Sequence, residues 1–284
     1  MVLEGLISPL KAEREPIDML FIGILYSTVA ILLSLWIFKE QSSLVMVFLT
    51  VMAALPLVVA TFRMEEKKDL VFSKERDILK EHAKALKFLM YLFVGCVIGF
   101  SLWYVFLPKS IIATLFSTQS ETIRQINTAS VVGFGYNTFS AFNRIFLNNT
   151  KVLIFCILFS FIYGAGAIFI LIWNASVIAA AIGNLIRTEL DAVLVELGAI
   201  GPAHYFQIFS LGLMRYSIHG IPEILAYFIA SLAGGIISVA AIKHDFGSKS
   251  FERIVFDSSE LIIISVLMLI VSAFLEVYVT PLVF

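Results

Sequence analysis

Four residues of this chain combine chemical capacity with an apolar setting: Arg215, His219 and Glu223 within "RYSIHGIPEI", and Glu276 within "SAFLEVYVTPLVF". An imidazole and a carboxylate four residues apart could share one helix face, as two metal ligands would. Gly220 and Pro222 fall between them, which argues against an unbroken helix, and no third ligand is close, so no metal site is expected. Pro222 also suits a first helical turn, where its missing N–H costs nothing and Glu223 would gain roughly 0.3–1 kcal/mol from the helix dipole. Arg215 could then be a snorkelling residue at the same helix end. Glu276 resists such an account, because a carboxylate at membrane depth costs at least about 2.5 kcal/mol unless it finds a partner, a proton or water.

The elements that hold these residues follow from composition. Of 284 residues, 60% are hydrophobic and the mean hydropathy is +0.97, far above the level of soluble domains. The expected fold is all-α: a polytopic transmembrane helical bundle of about seven crossings. Apolar runs at 17–38, 44–62, 88–107, 152–173 and 261–284 are long enough to cross a hydrocarbon layer of about 30 Å. Between 174 and 242 the pattern is interrupted, and a broken or half-helix region is expected near 174–223. Its parts would be a crossing from Asn174, a short half-helix over 205–214 and a crossing from about Gly220. The last two crossings run antiparallel through the connection at 243–260. Helix rise then puts Glu223 and Glu276 within about 6 Å of the same height, in the outer half of the membrane. Arg215, His219, Glu223 and Glu276 are thus the candidate polar pocket.

Three regions are expected. Residues 1–107 form a three-span region with a charged cytoplasmic helix at 63–87, which carries eight basic and six acidic residues. That near balance argues against a simple attraction to anionic lipid, and Asp77 with Lys80 and Glu81 with Lys84 supply i,i+3 pairs. Residues 108–149 form an outer loop in which Phe139, Phe142, Ile145 and Phe146 repeat at helical spacing, as in a helix lying flat at the interface. Residues 150–284 form the membrane core. Thirteen Lys and Arg fall on one side of this topology and seven on the other, which puts the N-terminus inside and the C-terminus outside a multi-pass cell membrane protein.

Other functions are disfavoured. A net charge of −1 offers no basic footprint for nucleic acid. Cys96 and Cys156 sit in apolar runs as small packing residues. Protease, nucleophile-elbow and phosphate-loop motifs are missing, so neither an enzyme nor a cofactor is expected. Asn148, Asn149, Asn174 and Asn184 bring amides to expected span ends, where they cap helices or bond between them. Gly164, Gly166, Gly234 and Gly235 are expected close-packing positions, with Gly234 less tolerant of a large side chain than Gly95. The expected surroundings are the lipid bilayer, a second copy of the chain, or a membrane or cell-envelope protein.

The order "FNRIFLNN", Gly164 and Gly166, Asn174 followed by Gly183, "HGIPE", Gly234-Gly235 and "FLEVYVTP" resembles the stage II sporulation protein M family, over about half the chain from roughly Ser140. The resemblance implies a non-enzymatic membrane component, similar to the member that holds cell-wall hydrolases at the engulfing membrane during spore formation. It suggests a scaffold or assembly role. The rival reading is transport of a proton, ion or small solute through the pocket, since broken helices with buried ionisable groups build such sites.

Overall fold

Backbone groups in lipid must be satisfied within their own segment, so each apolar run folds as a helix. The computed structural model describes residues 8–71, 75–131, 138–163, 166–197, 201–244 and 247–283. Among them are eleven α-helices: α1 Pro9–Arg14, α2 Asp18–Ile37, α3 Ser42–Val71, α4 Glu75–Phe106, α5 Lys109–Leu115, α6 Ser117–Val131, α7 Thr138–Tyr163, α8 Ala167–Leu197, α9 Pro202–Lys243, α10 Lys249–Phe274 and α11 Thr280–Val283. A 3-10 turn, Lys39–Gln41, joins α2 to α3, and a π-helical turn, Leu275–Val279, joins α10 to α11. Seven helices are long and apolar enough to cross a membrane.

Several boundaries differ from the sequence reading. The run at 152–173 holds two helices, because α7 ends at Tyr163 and α8 begins at Ala167. Gly166, described as a turn, sits in a run whose hydropathy is that of a span, so hydropathy alone does not reveal the boundary. Gly166 consequently lies in a turn rather than a span, Gly164 lies outside the described residues, and Asn174 sits inside α8 rather than at a helix end. Within 174–223 α8 is described to Leu197 and α9 begins at Pro202, and α9 runs unbroken through Gly220 and Pro222. At 42 residues α9 is about 63 Å long, twice the hydrocarbon thickness, and its spanning part is Ser217–Lys243. Among the described residues, 138–149 form no flat helix separate from the fourth span. The stripe of Phe139, Phe142 and Phe146 continues in phase into α7, with the rings of Phe142 and Phe146 stacked at 6.1 Å.

The spanning part of α9 is the most enclosed, packed against α3, α7, α8 and α10. On the other side α2 lies along α4 through small residues. A Cβ at Gly95 would come within 2.1 Å of the Leu20 carbonyl, and one at Gly23 within 2.3 Å of the Leu92 carbonyl. At Gly234 the nearest atom would be the Ile157 carbonyl at 2.7 Å, and at Gly235 the Phe62 ring at 2.2 Å. Gly95 is therefore at least as intolerant as Gly234, contrary to the expectation from sequence, because two glycines meet at the α2–α4 contact.

Two polar ties fix the end of the bundle that carries α5 and α6. The wholly buried Gln119 donates to the Ser43 carbonyl and to Ser176 Oγ, both at 3.2 Å. Arg187 donates to the carbonyls of Val105 and Leu107, which the C-terminus of α4 leaves unpaired.

Candidate functional site

Helix rise brings the two acids of the sequence reading together. Glu223 on α9 and Glu276 in the π-helical turn are both half-buried and close enough for their charges to interact. Tyr227, one turn on, donates its hydroxyl to Glu223 Oε1 at 2.9 Å, and the Asn149 side chain of α7 lies near the same carboxylate. His219, one turn before Glu223, has Nδ1 at 3.3 Å from Thr280 Oγ1, while its carbonyl accepts from Ser272 Oγ at 2.8 Å. His219, Glu223, Tyr227 and Ser231 thus follow at four-residue spacing on one face of α9.

Both helices depart from regular bonding at this level. Pro222 has no N–H to offer the carbonyl one turn back. In the π-helical turn the Thr280 N–H reaches Leu275 O, five residues back, and Thr280 Oγ1 donates to the same oxygen at 3.1 Å. Single π turns within helices frequently mark functional positions.

The other candidates scatter. Arg215 lies in α9, but its side chain falls outside the described residues. Of the amides, Asn149 reaches the pocket, Asn148 is exposed beside it, Asn184 is exposed, and Asn174 donates to Ile170 O at 2.8 Å within its own helix. Gly234 and Gly235 are buried in the packing of α9 against α7 and α3.

A second polar cluster, which the sequence reading missed, occupies the opposite end of α9. Here α3 and α4 continue past their apolar stretches as a charged hairpin. His82 Nδ1 bonds Glu65 Oε2 at 2.7 Å, and Nε2 lies 2.9 Å from Asp69 Oδ1, outside hydrogen-bond geometry. All three side chains are at most 1% exposed. Glu66 accepts from Lys243 Nζ and pairs with His244 Nε2, each at 2.7 Å, tying α3 to the end of α9. Lys68 bridges Glu65 at 2.8 Å and Glu13 of α1 at 2.7 Å. Burial pushes the Glu13 carboxyl above its ordinary range even though Lys68 bonds it. From α10, Asp257 brings a further buried carboxylate near Asp69.

The available signal was the i,i+4 spacing of Glu65 and Asp69 with one histidine on the other arm. The expected pairs Asp77–Lys80 and Glu81–Lys84 are also present, at 3.9 and 2.6 Å, with both lysines exposed. Among the described residues no three His, Cys, Asp or Glu are arranged to hold a metal ion. Chemically, the pocket can bind a proton or a hard cation between carboxylates, whereas the hairpin cluster is a set of charge-assisted ties between helices.

The family model for stage II sporulation protein M matches residues 24–281, so the likeness extends over the first three spans as well as the second half. No curated protein and no solved structure matches the chain.

Proposed function

The chain belongs to the stage II sporulation protein M family, and from that premise we propose that it is a non-enzymatic membrane scaffold that assembles with a cell-envelope protein. What supports this reading is the use of its polar groups. At both ends of the spanning part of α9 they bond across helices: Glu66 to Lys243 and His244, Glu65 to His82, and Ser272 to the His219 carbonyl. Such ties hold the helices in one arrangement, as a docking platform requires. In the orientation proposed, the charged hairpin faces the cytoplasm and Glu223 and Glu276 lie in the outer half of the membrane.

The test is affinity purification of the full chain from its own membranes after mild cross-linking, with proteoliposome flux assays in parallel. A stoichiometric envelope protein or a second copy of the chain, with no pH- or ion-driven flux, is the expected result.

One observation favours transport as a second reading: Glu276 sits in a π-helical turn beside Glu223. A flux that Glu276→Gln abolishes, at unchanged yield and melting temperature, would replace the scaffold by a transporter.

A further inference from the structure

The fold sorts the charges of the α3–α4 hairpin. Glu65, Glu66 and Asp69 are at most 1% exposed, and Glu81 leans inward to 3.6 Å from Lys68. Arg63 and Lys67 of α3, and Arg76, Lys80, Lys84 and Lys87 of α4, are all exposed. A segment that is nearly balanced in sequence therefore presents a basic exterior, with half-buried Asp77 among its few outward acids.

The exposed cations form two stripes. At 3.6 residues per turn, Arg63 and Lys67 point away from the side on which Glu65 and Asp69 meet α4, and Lys80, Lys84 and Lys87 point away from the side on which His82 meets α3. Each stripe runs down an outer flank of the hairpin. Their heights follow from helix rise, with Phe62 and Phe88 as the last residues of the apolar stretches. Arg63 and Lys87 then stand about 1.5 Å beyond the hydrocarbon, Lys84 about 6 Å and Lys67 about 7.5 Å. The headgroup layer on each side is roughly 5–7.5 Å thick. Lys80 and Arg76 stand farther out, at about 12 and 18 Å.

We propose that Arg63, Lys67, Lys84 and Lys87 bind the phosphates of anionic phospholipids in the leaflet from which the hairpin projects. Four cations at headgroup height, on two flanks that face lipid, match a ring of phosphates in sign and level. Lys84 also bonds Glu81 at 2.6 Å, and its ammonium keeps further donors for a phosphate oxygen. The buried cluster contributes by withdrawal: His82, Lys68, Lys243 and His244 hold inside the carboxylates that would otherwise repel phosphate from these flanks.

The experiment uses the full chain in liposomes with spin-labelled phosphatidylglycerol or phosphatidylcholine, and reads the fraction of label immobilised at the protein surface. Phosphatidylglycerol should be preferred at low salt, and the preference should fall toward unity in about 0.5 M salt, where the Debye length shrinks to a few ångströms. The quadruple variant Arg63→Gln, Lys67→Gln, Lys84→Gln, Lys87→Gln should lose the preference at low salt, by about fivefold or more. Lys109→Gln with Lys151→Gln, at the other end of the bundle, should keep it. If the quadruple variant does not insert, the salt response of the unaltered chain decides. No preference at low salt, a preference indifferent to salt, or an equal loss in the Lys109 and Lys151 control would overturn the proposal. So would capture of an acidic protein by these flanks without any lipid preference.

Discussion

Glu65 and His82 lie seventeen residues apart on the two arms of one hairpin and meet at 2.7 Å with neither exposed by more than 1%. Asp69 approaches the other ring nitrogen, so the imidazole has a carboxylate on each side. Negative groups beside both nitrogens favour a doubly protonated ring, whose charge offsets part of the buried negative charge.

Removing that ring leaves two buried carboxylates facing each other. His82→Ala should lower unfolding stability by about 3–5 kcal/mol, the range for breaking a buried ion pair from one side. Replacing the whole set with Glu65→Met, Asp69→Leu and His82→Leu should recover most of the loss, because no charge is then left orphaned. Chemical unfolding in detergent micelles reads both numbers, and a loss below about 1 kcal/mol for His82→Ala would show that the cluster is not a structural tie.

At the junction of α3 with the end of α9, the partners differ in burial: Glu66 is 1% exposed, Lys243 36% and His244 22% by side chain. Loss of Glu66 releases two groups that can turn to water, whereas loss of both bases strands a buried carboxylate. Lys243→Ala combined with His244→Ala should therefore cost more than Glu66→Gln, by about 1–3 kcal/mol. The reverse order in paired unfolding curves would contradict this account.

Glycine substitutions separate packing from helix propensity. Gly95→Leu and Gly234→Leu should both be severe, with Gly95→Leu at least as severe, since its nearest obstacle is backbone at 2.1 Å rather than 2.7 Å. Gly220 has nothing within 4 Å of an added Cβ and lies in a continuous helix. Gly220→Ala should therefore leave stability unchanged or raise it by up to about 1 kcal/mol. Melting temperatures of the three variants in one detergent test the ranking, and a Gly220→Ala protein that melts well below the parent would refute it.

In the pocket, Tyr227→Phe removes the hydroxyl that Glu223 accepts at 2.9 Å. The expected cost is about 1–3 kcal/mol, the range for leaving a buried acceptor unsatisfied. Combined with Glu223→Gln, the two losses should fall short of their sum by at least about 0.5 kcal/mol, as for groups in direct contact. Additive losses would mean that the bond contributes nothing to the packing of α9.

The sequence by itself determined the all-helical fold, the seven spans and the common level of Glu223 and Glu276. All three rest on local quantities: a hydrocarbon thickness that demands about twenty apolar residues, and a fixed rise per residue that converts sequence distance into height. Tertiary structure alone decided which way the charges face. Glu65, Glu66 and Asp69 look no different in sequence from Asp77, yet the first three are enclosed by His82, Lys68, Lys243 and His244. Those partners come from α3 itself, from α4 and from the end of α9, up to 178 residues away. The same holds for Gly95, whose intolerance comes from meeting Gly23 of α2, and for Gly166, which lies in a turn although the run that holds it has the hydropathy of a span. Burial of a side chain depends on what arrives opposite it, and only the packed bundle supplies that neighbour.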